Sequence, residues 1–541
     1  MIINKFDVWY NFSTYLNTDN IDLIKLKDNI LQTGLGELIF HSPDNMVFWV
    51  NEDRVISYDP KIKGDFQSYS FTIPDQSIIT DGQLEYLYQA VKMKFHENLL
   101  FRDYMYNDLF DHIRVYLAPI YLQEGEVVIS FYPQIKIYKN GIVQVIFRRI
   151  GNGKEIIHID NFINKYVNLF NHSFKDVWIP SGFFFIQLAK EFGYKFYKKN
   201  SVKQLKAFSL LKEKVISDSV ESSDEFKFRV TKLPTSTTEY NTKDLFDGII
   251  DCILFCLNMK NDKPFKSQEK ITCSQTWKGM PVIHLIDFED MPADTSSISE
   301  AQFIDFKKIL TRTTINGYME NESIKNLRAF NDYFFYFNEA VALSIMSKKG
   351  LAIDSKFSDP NNGHLIYDKQ IQIEMINYYF IISRKLFDSS VFLENIKVED
   401  IIDNRLYLLE IEYIFKKELF KFGETRKMFD FAESELGIND LKERSHQLFE
   451  IKKERNNIIK QDFYQKIGIL ITIIFGLLGA VSFSKDLVVP AWDIIFNNKI
   501  NTTSKLLISY ASTVTLFTII IILIFKFINL KKWIMKFYKN E

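Results

Sequence analysis

Cysteine is scarce in this chain of 541 residues, which contains only three. Two of them, Cys252 and Cys256, lie four residues apart in a helical run and therefore face the same side. We interpret this pair as buried apolar residues, because no histidine lies nearby to complete a metal site. So few cysteines are typical of a protein from the reducing cytosol.

Net charge is also nearly absent, since 67 basic residues balance 68 acidic ones. A general nucleic-acid binder would be basic overall, so we expect no direct binding of DNA or RNA. The first residues, MIINKFDVWYNFSTYL, lack the continuous apolar core of a signal peptide. The mean hydropathy of −0.10 argues against a polytopic transporter.

Catalytic signatures are missing as well. The eight histidines are scattered and form no HExxH pair, and no GxSxG elbow occurs. The GNGK run at 151–154 lacks the other residues of a phosphate-binding P-loop. We therefore predict that the protein is not an enzyme, and we assign it no catalytic residue and no certain cofactor or metal.

Two uncharged runs near the end of the chain organise the rest of the prediction. Residues 467–483 and 506–525 each fit the roughly 17–25 apolar residues of a transmembrane helix, the first near the lower limit. Lysines flank both runs and follow the second, which predicts cytoplasmic termini, a short external loop and an inner-membrane location. The alternative is a pair of buried core helices.

The predicted fold class is an α+β or α/β cytosolic domain, followed by a long-helix stalk and two C-terminal transmembrane helices. The predicted segments are an N-terminal α/β domain (1–155), a basic and aromatic second part (156–300), a helical domain (301–438), the stalk (439–466), the transmembrane helices with their loop (467–483, 484–505, 506–525) and a basic tail (526–541). Leu441/Leu448 and Ile451/Ile458 recur seven apart in the stalk, which indicates either self-association or an ordinary amphipathic helix.

Local patterns give further expectations. The run QIKIYK-NG-IVQVIFRR predicts a hairpin with a type I′ turn at Asn140 and Gly141. GMPVIHLIDFED is typical of a buried strand, and IKNLRAFNDYFFYFNEAVALSIM has the spacing of a helix.

Basic and aromatic residues are interleaved in one stretch, and this combination suits an anionic nucleotide. Rings can stack on a base while ammonium groups meet phosphates. The candidate ligand-binding residues are Tyr194, Lys195, Tyr197, Lys198, Lys199 and Lys203, together with a second patch at Arg148 and Arg149. The alternative is a solvated lysine face of an amphipathic helix.

Small residues form a stripe on the first uncharged run. Gly468, Thr472, Gly476 and Gly479 recur at three- and four-residue spacing, which indicates close helix packing or, in a symmetric oligomer, a pore lining. Asp462 is a candidate for a carboxylate ring at the pore mouth, or else a simple ion pair with Lys466.

The C-terminal layout resembles the CorA-like divalent-cation channel family. The segment NNIIKQDFYQKIGILITIIFGLLGAVSF is similar in character to that family's stalk and pore helix. The family's Gly-Met-Asn signature is absent, since its position reads Ser484-Lys485-Asp486-Leu487. In this respect the chain resembles a divergent subgroup associated with type III CRISPR systems.

The resemblance implies an oligomeric membrane effector or channel that acts in antiviral defence. It further implies gating by a nucleotide second messenger, either a cyclic oligoadenylate or an adenylated S-adenosylmethionine. The expected partners are other copies of the chain, the lipid bilayer, the nucleotide and, as a possible cofactor, a divalent cation. Two alternatives stay open: a constitutive magnesium transporter and a membrane-anchored scaffold.

Overall fold

The computed structural model describes most of the chain. It describes residues 1–541 except 52–53, 65–68, 101–109, 125–126, 170–172, 175, 192–227, 229, 233–239, 260–270, 316–324, 358–363, 393–397, 421–422, 497–500, 502, 520–521 and 523–541.

The described strands lie between residues 2 and 346. They are β1 (Ile2–Leu16), β2 (Leu38–His41), β3 (Met46–Asn51), β4 (Arg54–Tyr58), β5 (Lys63–Gly64), β6 (Tyr69–Ser70), β7 (His112–Tyr116), β8 (Ile120–Glu124), β9 (Val127–Tyr138), β10 (Ile142–His158), β11 (Ser173–Phe174), β12 (Asp176–Pro180), β13 (Val230–Lys232), β14 (Tyr240–Asn241), β15 (Cys273–Phe288), β16 (Tyr333–Phe337) and β17 (Ala342–Met346).

The described helices are α1 (Leu23–Thr33), α2 (Asp81–Leu100), α3 (Ile159–Phe162), α4 (Ser181–Glu191), α5 (Thr242–Asn258), α6 (Glu300–Thr311), α7 (Lys348–Phe357), α8 (His364–Phe392), α9 (Val398–Tyr413), α10 (Gly423–Glu435), α11 (Ile438–Phe483), α12 (Val489–Phe496) and α13 (503–519). The two longest described helices, α8 and α11, lie in the last third of the chain. Short π-helical turns follow α3, α9 and α11 at Ile163–Val167, Ile414–Leu419 and Ser484–Val488.

One large sheet of thirteen strands forms the centre of the molecule. Its main path runs β16-β17-β15-β1-β10-β9-β7-β2-β3-β4, with β8, β12 and β13 attached beside it. Strand β1 is central, because it pairs antiparallel with β10 on one side and with β15 on the other. Strands β15 and β17 run parallel. The predicted buried strand at GMPVIHLIDFED is confirmed as the second half of β15.

The two faces of this sheet differ in chemistry. Val8, Tyr10 and Phe12 of β1 point to an apolar face that continues through Val145 and Phe147 of β10. Helices α1, α4 and α5 pack together in the same hydrophobic core, where Cys252 and Cys256 are both buried as expected. The opposite face lies under α2 and α8, and it is buried although much of it is polar.

The predicted hairpin at Asn140–Gly141 is confirmed, but its turn is of a different type. Strands β9 and β10 pair from Ile137 opposite Val143. Gly141 has a φ of 85°, and its N–H donates to the carbonyl of Tyr138 at 2.9 Å. Asn140 does not share the positive φ that a type I′ turn requires at both central positions. The loop is therefore a type I turn closed by a left-handed glycine.

The prediction of a helix for residues 324–346 is wrong. Tyr333–Phe337 and Ala342–Met346 are paired antiparallel strands joined by a short turn. Aromatic and β-branched side chains favour strands where a sheet edge is available, and β15 supplies that edge for β17. Sheet pairing therefore overrides the helical spacing.

The chain divides into two compact units, one built from 1–396 and 400–445, the other from 397–399 and 446–541. Within the second unit, α11 and α13 approach each other where Gly476 faces the ring of Phe517. In the same unit Lys505 forms an ion pair with Asp493.

The prediction of two transmembrane helices is contradicted. Within the described part of the chain, no helix combines the length and the apolar character needed to cross a membrane. The uncharged run 467–483 extends only roughly 25 Å at helical rise, whereas a bilayer core is about 30 Å thick. The predicted transmembrane fold, the membrane-protein and ion-channel character based on it, and the inner-membrane location are therefore wrong.

Candidate functional site: a buried polar layer

A row of polar side chains crosses four neighbouring strands on the sheet face under α2 and α8. Ser13 of β1 lies opposite Gln144 of β10, which lies opposite Lys136 of β9 and then Arg114 of β7. Each is at most 2% exposed to solvent. We call this row, with the buried charged and polar side chains that contact it from α2 and α8, the polar layer. Sheet faces beneath helices are normally apolar, so this face calls for an explanation.

Two glutamates from the covering helices neutralise the two cations of the row. Glu374 of α8 accepts two hydrogen bonds from Arg114, at 3.1 and 2.6 Å, and contacts the ammonium of Lys136 at 3.3 Å. Glu97 of α2 contacts Lys136 at 2.6 Å and Arg114 at 3.2 Å. Both carboxylates thus bridge both cations. The arrangement fastens two helices to the sheet through charge and not through apolar packing.

The surrounding charges decide which of these groups are ionised. Burial opposes ionisation of Glu97, yet the positive charges of Lys136 and Arg114 outweigh it and hold the pKa of Glu97 well below its usual value. For Glu374, Arg114 and Lys136 likewise outweigh burial and lower the pKa. Burial and the neighbouring Lys136 lower the pKa of His112, which therefore stays neutral. Two carboxylates then face two cations, and the four charges balance.

A third cation of the same face, Arg148, lies beside the row. Arg148 of β10 donates to Oδ1 of Asp7 at 3.1 Å, to Oδ2 of Asp7 at 2.6 Å, and to the hydroxyl of Tyr367 at 3.0 Å. Its guanidinium also lies 4.5 Å from the ring centre of Trp9 and 5.2 Å from that of Tyr367. Stacking between two rings fixes the plane of this side chain.

Several buried polar atoms of this face have no hydrogen-bond partner among the described residues. Both ring nitrogens of His284, Nε2 of Gln134, Oε1 of Gln144 and the hydroxyl of Tyr116 belong to this group. His284 is 2% exposed and lies between Asp7 and Ser344 in the sheet register. An unsatisfied buried group costs about 1–3 kcal/mol, so their concentration on one face favours a functional role.

Helix α8 carries the network away from the sheet. Lys369, one turn before Glu374, forms an ion pair with Glu424 at the start of α10. Glu424 also accepts from Arg328 at 2.7 Å and from the hydroxyl of Tyr333 at 2.9 Å. This carboxylate joins α10 to α8 and to the strand β16.

A third bridging glutamate reaches the beginning of α11. Glu433 of α10 accepts from the hydroxyl of Tyr379 on α8 at 3.2 Å and from Lys416 at 2.8 Å, and it forms an ion pair with Lys442 of α11. Lys442 also contacts Glu412 at 3.0 Å. Glu374, Glu424 and Glu433 therefore link the sheet, α8, α10 and α11 in series.

The two arginines predicted from the sequence do not converge on one site. Arg148 points into the polar layer, whereas Arg149, the next residue of the strand, points to the opposite face. There Arg149 donates to the carbonyl of Ile150 at 3.0 Å and lies 5.9 Å from the ring centre of Tyr166. Alternation along a strand separates neighbouring side chains in this way. Tyr194, Lys195, Tyr197, Lys198, Lys199 and Lys203 lie outside the described residues.

The candidate pore residues all lie on α11. Asp462 pairs with Lys466 at 2.6 Å on an exposed surface, as in the simpler of the two interpretations. Thr472 donates to the carbonyl of Gly468 at 2.8 Å. A Cβ placed on Gly468 or Gly479 would meet no atom within 4 Å, so contacts among described residues do not explain these glycines. Gly476 alone of the three approaches another helix.

The polar layer itself was not predicted from the sequence. A signal was present in Lys136 and Tyr138, which lie two positions apart on β9, and in the polar positions of α8. From the sequence alone, such polar positions are normally assigned to solvent. In the described ranges, no three His, Cys, Asp or Glu side chains are placed to hold a metal ion.

No protein-family model matches the chain, and searches of curated proteins and of solved structures give no match either.

Proposed function

We propose that residues 1–445 form a receptor for a small anionic nucleotide, such as a cyclic oligoadenylate or an adenylated S-adenosylmethionine. One observation carries the proposal: the series of bridging glutamates that runs from Arg114 and Lys136 to Lys442. Ligand binding at the polar layer would change the contacts at the start of α11, and α8 and α10 would transmit that change.

The energetics of buried charge support a regulatory role over a stabilising one. An apolar core of the same volume is often as stable as a buried ion pair, or more so, because ions lose hydration on burial. The Arg114–Lys136–Glu97–Glu374 cluster is therefore an expensive way to fasten α8 to the sheet. The cluster has a regulatory function if an anionic ligand replaces Glu374 as the partner of Arg114 and Lys136.

The neighbouring groups suit such an exchange. Gln134 offers a buried amide donor and Gln144 a buried acceptor, neither used by the described residues. The rings of Tyr138 and Trp9 are close enough to Lys136 and Arg148 for cation–π contact. Cations, amides and rings are the groups that recognise a phosphorylated purine.

We further propose that the chain assembles with copies of itself through the second unit. Ile451 and Ile458 of α11 are 62% and 59% exposed and lie seven residues apart, as in a coiled-coil seam. More large apolar side chains of this unit are exposed, including Leu470, Phe475 and Leu507. Exposed apolar patches beyond a few hundred Å² mark interaction surfaces.

The receptor proposal is tested by calorimetric titration of the full chain with cyclic tetra-adenylate and with adenylated S-adenosylmethionine, AMP serving as the weak comparison. Glu374→Gln removes the competing carboxylate but keeps its shape, so we expect about tenfold tighter binding. Glu289→Gln, an exposed glutamate on the same chain, is the matched control and should leave affinity unchanged.

Two results would contradict the proposal. If neither nucleotide binds to the wild-type protein, the proposed ligand class is refuted. Equal affinity of Glu374→Gln and wild type, with both folded by near-UV circular dichroism, would place the site away from the polar layer. Amide exchange in residues 438–445 should slow on binding, since that is where Lys442 receives the signal.

A further inference from the structure

Helix α9 has an exposed apolar stripe in addition to the apolar side that packs into its own core. On the core side Ile411 is fully buried, and Ile414 and Phe415 of the following π-helical turn are buried as well. Four large apolar side chains lie away from that side and are between 40% and 59% exposed: Ile402, Leu406, Leu409 and Tyr413. A helix at the surface of a domain needs only one apolar side, so the second one indicates a further contact.

The four exposed side chains of this stripe repeat at the spacing of a coiled-coil seam. Their separations of four, three and four residues are those of successive d, a, d and a positions of a heptad. At about 100° of turn per residue they fall within an arc of about 60°, whereas the buried Ile411 lies about 170° from the centre of that arc. So narrow a stripe has the width of one partner helix.

We propose that this stripe pairs with α9 of a second copy of the chain, with the two helices parallel. In a two-fold pair of this kind, each apolar layer is formed by the same residue of both copies, so Leu406 meets Leu406 and Leu409 meets Leu409. The stripe is thus complementary to itself. It lies on residues 402–413, so this contact is separate from the one proposed for the second unit, and it does not depend on ligand binding at the polar layer.

The charges beside the stripe decide the direction of pairing. Asp403 and Glu410 follow the two d positions and are exposed, and the partly exposed Arg405 lies on the other side of the stripe. Parallel helices bring Glu410 of one copy toward Arg405 of the other, since g and e positions of successive heptads meet across a parallel seam. Antiparallel helices would instead bring Asp403 against Glu410, and the symmetry would repeat this pair of like charges. The pattern of signs therefore favours the parallel arrangement.

The seam is short, so we expect a weak dimer that a covalent cross-link can trap. Four partly exposed side chains supply less area than the roughly 800 Å² per partner of a standard interface. The test uses the full chain with Leu406→Cys, which is oxidised with copper phenanthroline and separated on a non-reducing gel. In the parallel pair the two introduced thiols face each other, so this variant should form a disulfide-linked dimer.

The matched control is Asp403→Cys. This position is also exposed and lies on the same helix, but it is about 90° from the centre of the stripe. Its thiols would lie on the outer side of the pair, so we expect no more dimer than the wild-type protein gives with its three native cysteines.

Two second-site changes, each combined with Leu406→Cys, test the seam and its direction. Leu409→Glu places a carboxylate inside the seam and should abolish the cross-link, because that charge would have to be buried without a partner. Glu410→Arg sets two arginines against each other across a parallel seam and should lower the yield of dimer a few-fold. In an antiparallel pair the same change would place an arginine against Asp403 and raise the yield.

Three results would overturn the proposal, provided that near-UV circular dichroism shows the variants to be folded. The first is a yield of dimer from Leu406→Cys no higher than that from Asp403→Cys. The second is an unchanged yield when Leu409→Glu is added. The third is a cross-link that forms only when Leu406→Cys chains are mixed with Leu409→Cys chains, since these two positions meet in an antiparallel pair.

Discussion

Lowering the pH should destabilise the protein through His284, and the size of the effect follows from its burial. Burial, with the positive charges of Arg148 and Lys369 nearby, lowers the pKa of His284 to about 3. In the unfolded chain a histidine has a pKa of about 6.5. The unfolded state therefore binds a proton below pH 6.5 that the folded state refuses, and stability falls as the pH falls.

The magnitude comes from linkage. Each pH unit between the two pKa values costs about 1.4 kcal/mol, so His284 alone removes about 2 kcal/mol between pH 8 and pH 5. Urea unfolding of wild type and His284→Phe at pH 8, 6 and 5 measures this difference. The variant should lose about 2 kcal/mol less than wild type over that range, whatever its absolute stability.

The control is His446→Gln, which replaces an exposed histidine of α11 that lies outside the polar layer. His112 has a lowered pKa too and contributes to both proteins, so it cancels in the comparison. The same pH dependence in wild type and His284→Phe would refute the reasoning. It would mean that the ring takes up a proton in the folded state.

Two further predictions concern the backbone turn and the stacked arginine. Gly141→Ala should destabilise the protein by more than about 1 kcal/mol, because φ is 85° and the new Cβ would meet the carbonyl oxygen of Thr18 at 2.3 Å. Gly153→Ala has a similar φ of 82° without that clash and should cost less; equal losses in chemical unfolding would count against the clash. Arg148→Lys should cost about 1–3 kcal/mol by losing the bidentate hydrogen bond to Asp7, and a melting temperature no lower than that of wild type would contradict this.

Local elements were readable from the sequence where the signal is local. The hairpin around Gly141 and the buried strand β15 both follow from turn residues and periodicity. The strands β16 and β17 were missed because their pairing depends on β15, about fifty residues earlier, and no local pattern records such a partner.

The polar layer shows why the site could not be read in the same way. Alternation of Lys136 with Ile135 and Ile137 is the usual mark of a strand with one face in water. Here the polar face is covered by α2 and α8, and Glu97 and Glu374 of these helices form ion pairs with its cations. Complementary charges from residues 39 and 238 positions away have no sequence signature. The membrane prediction failed differently, because uncharged runs close to the minimum length do not by themselves establish a span.

The central position of β1 has a consequence for biosynthesis. This strand is completed by residue 16, yet one of its two neighbours, β15, ends only at Phe288. At translation rates of about 5–20 residues per second, roughly 15–55 s pass before the sheet can close around it. During that interval an amphipathic strand with free edges is available to wrong partners. The early β1–β10 pairing, which becomes possible once residue 158 has left the ribosome, would protect one of these two edges.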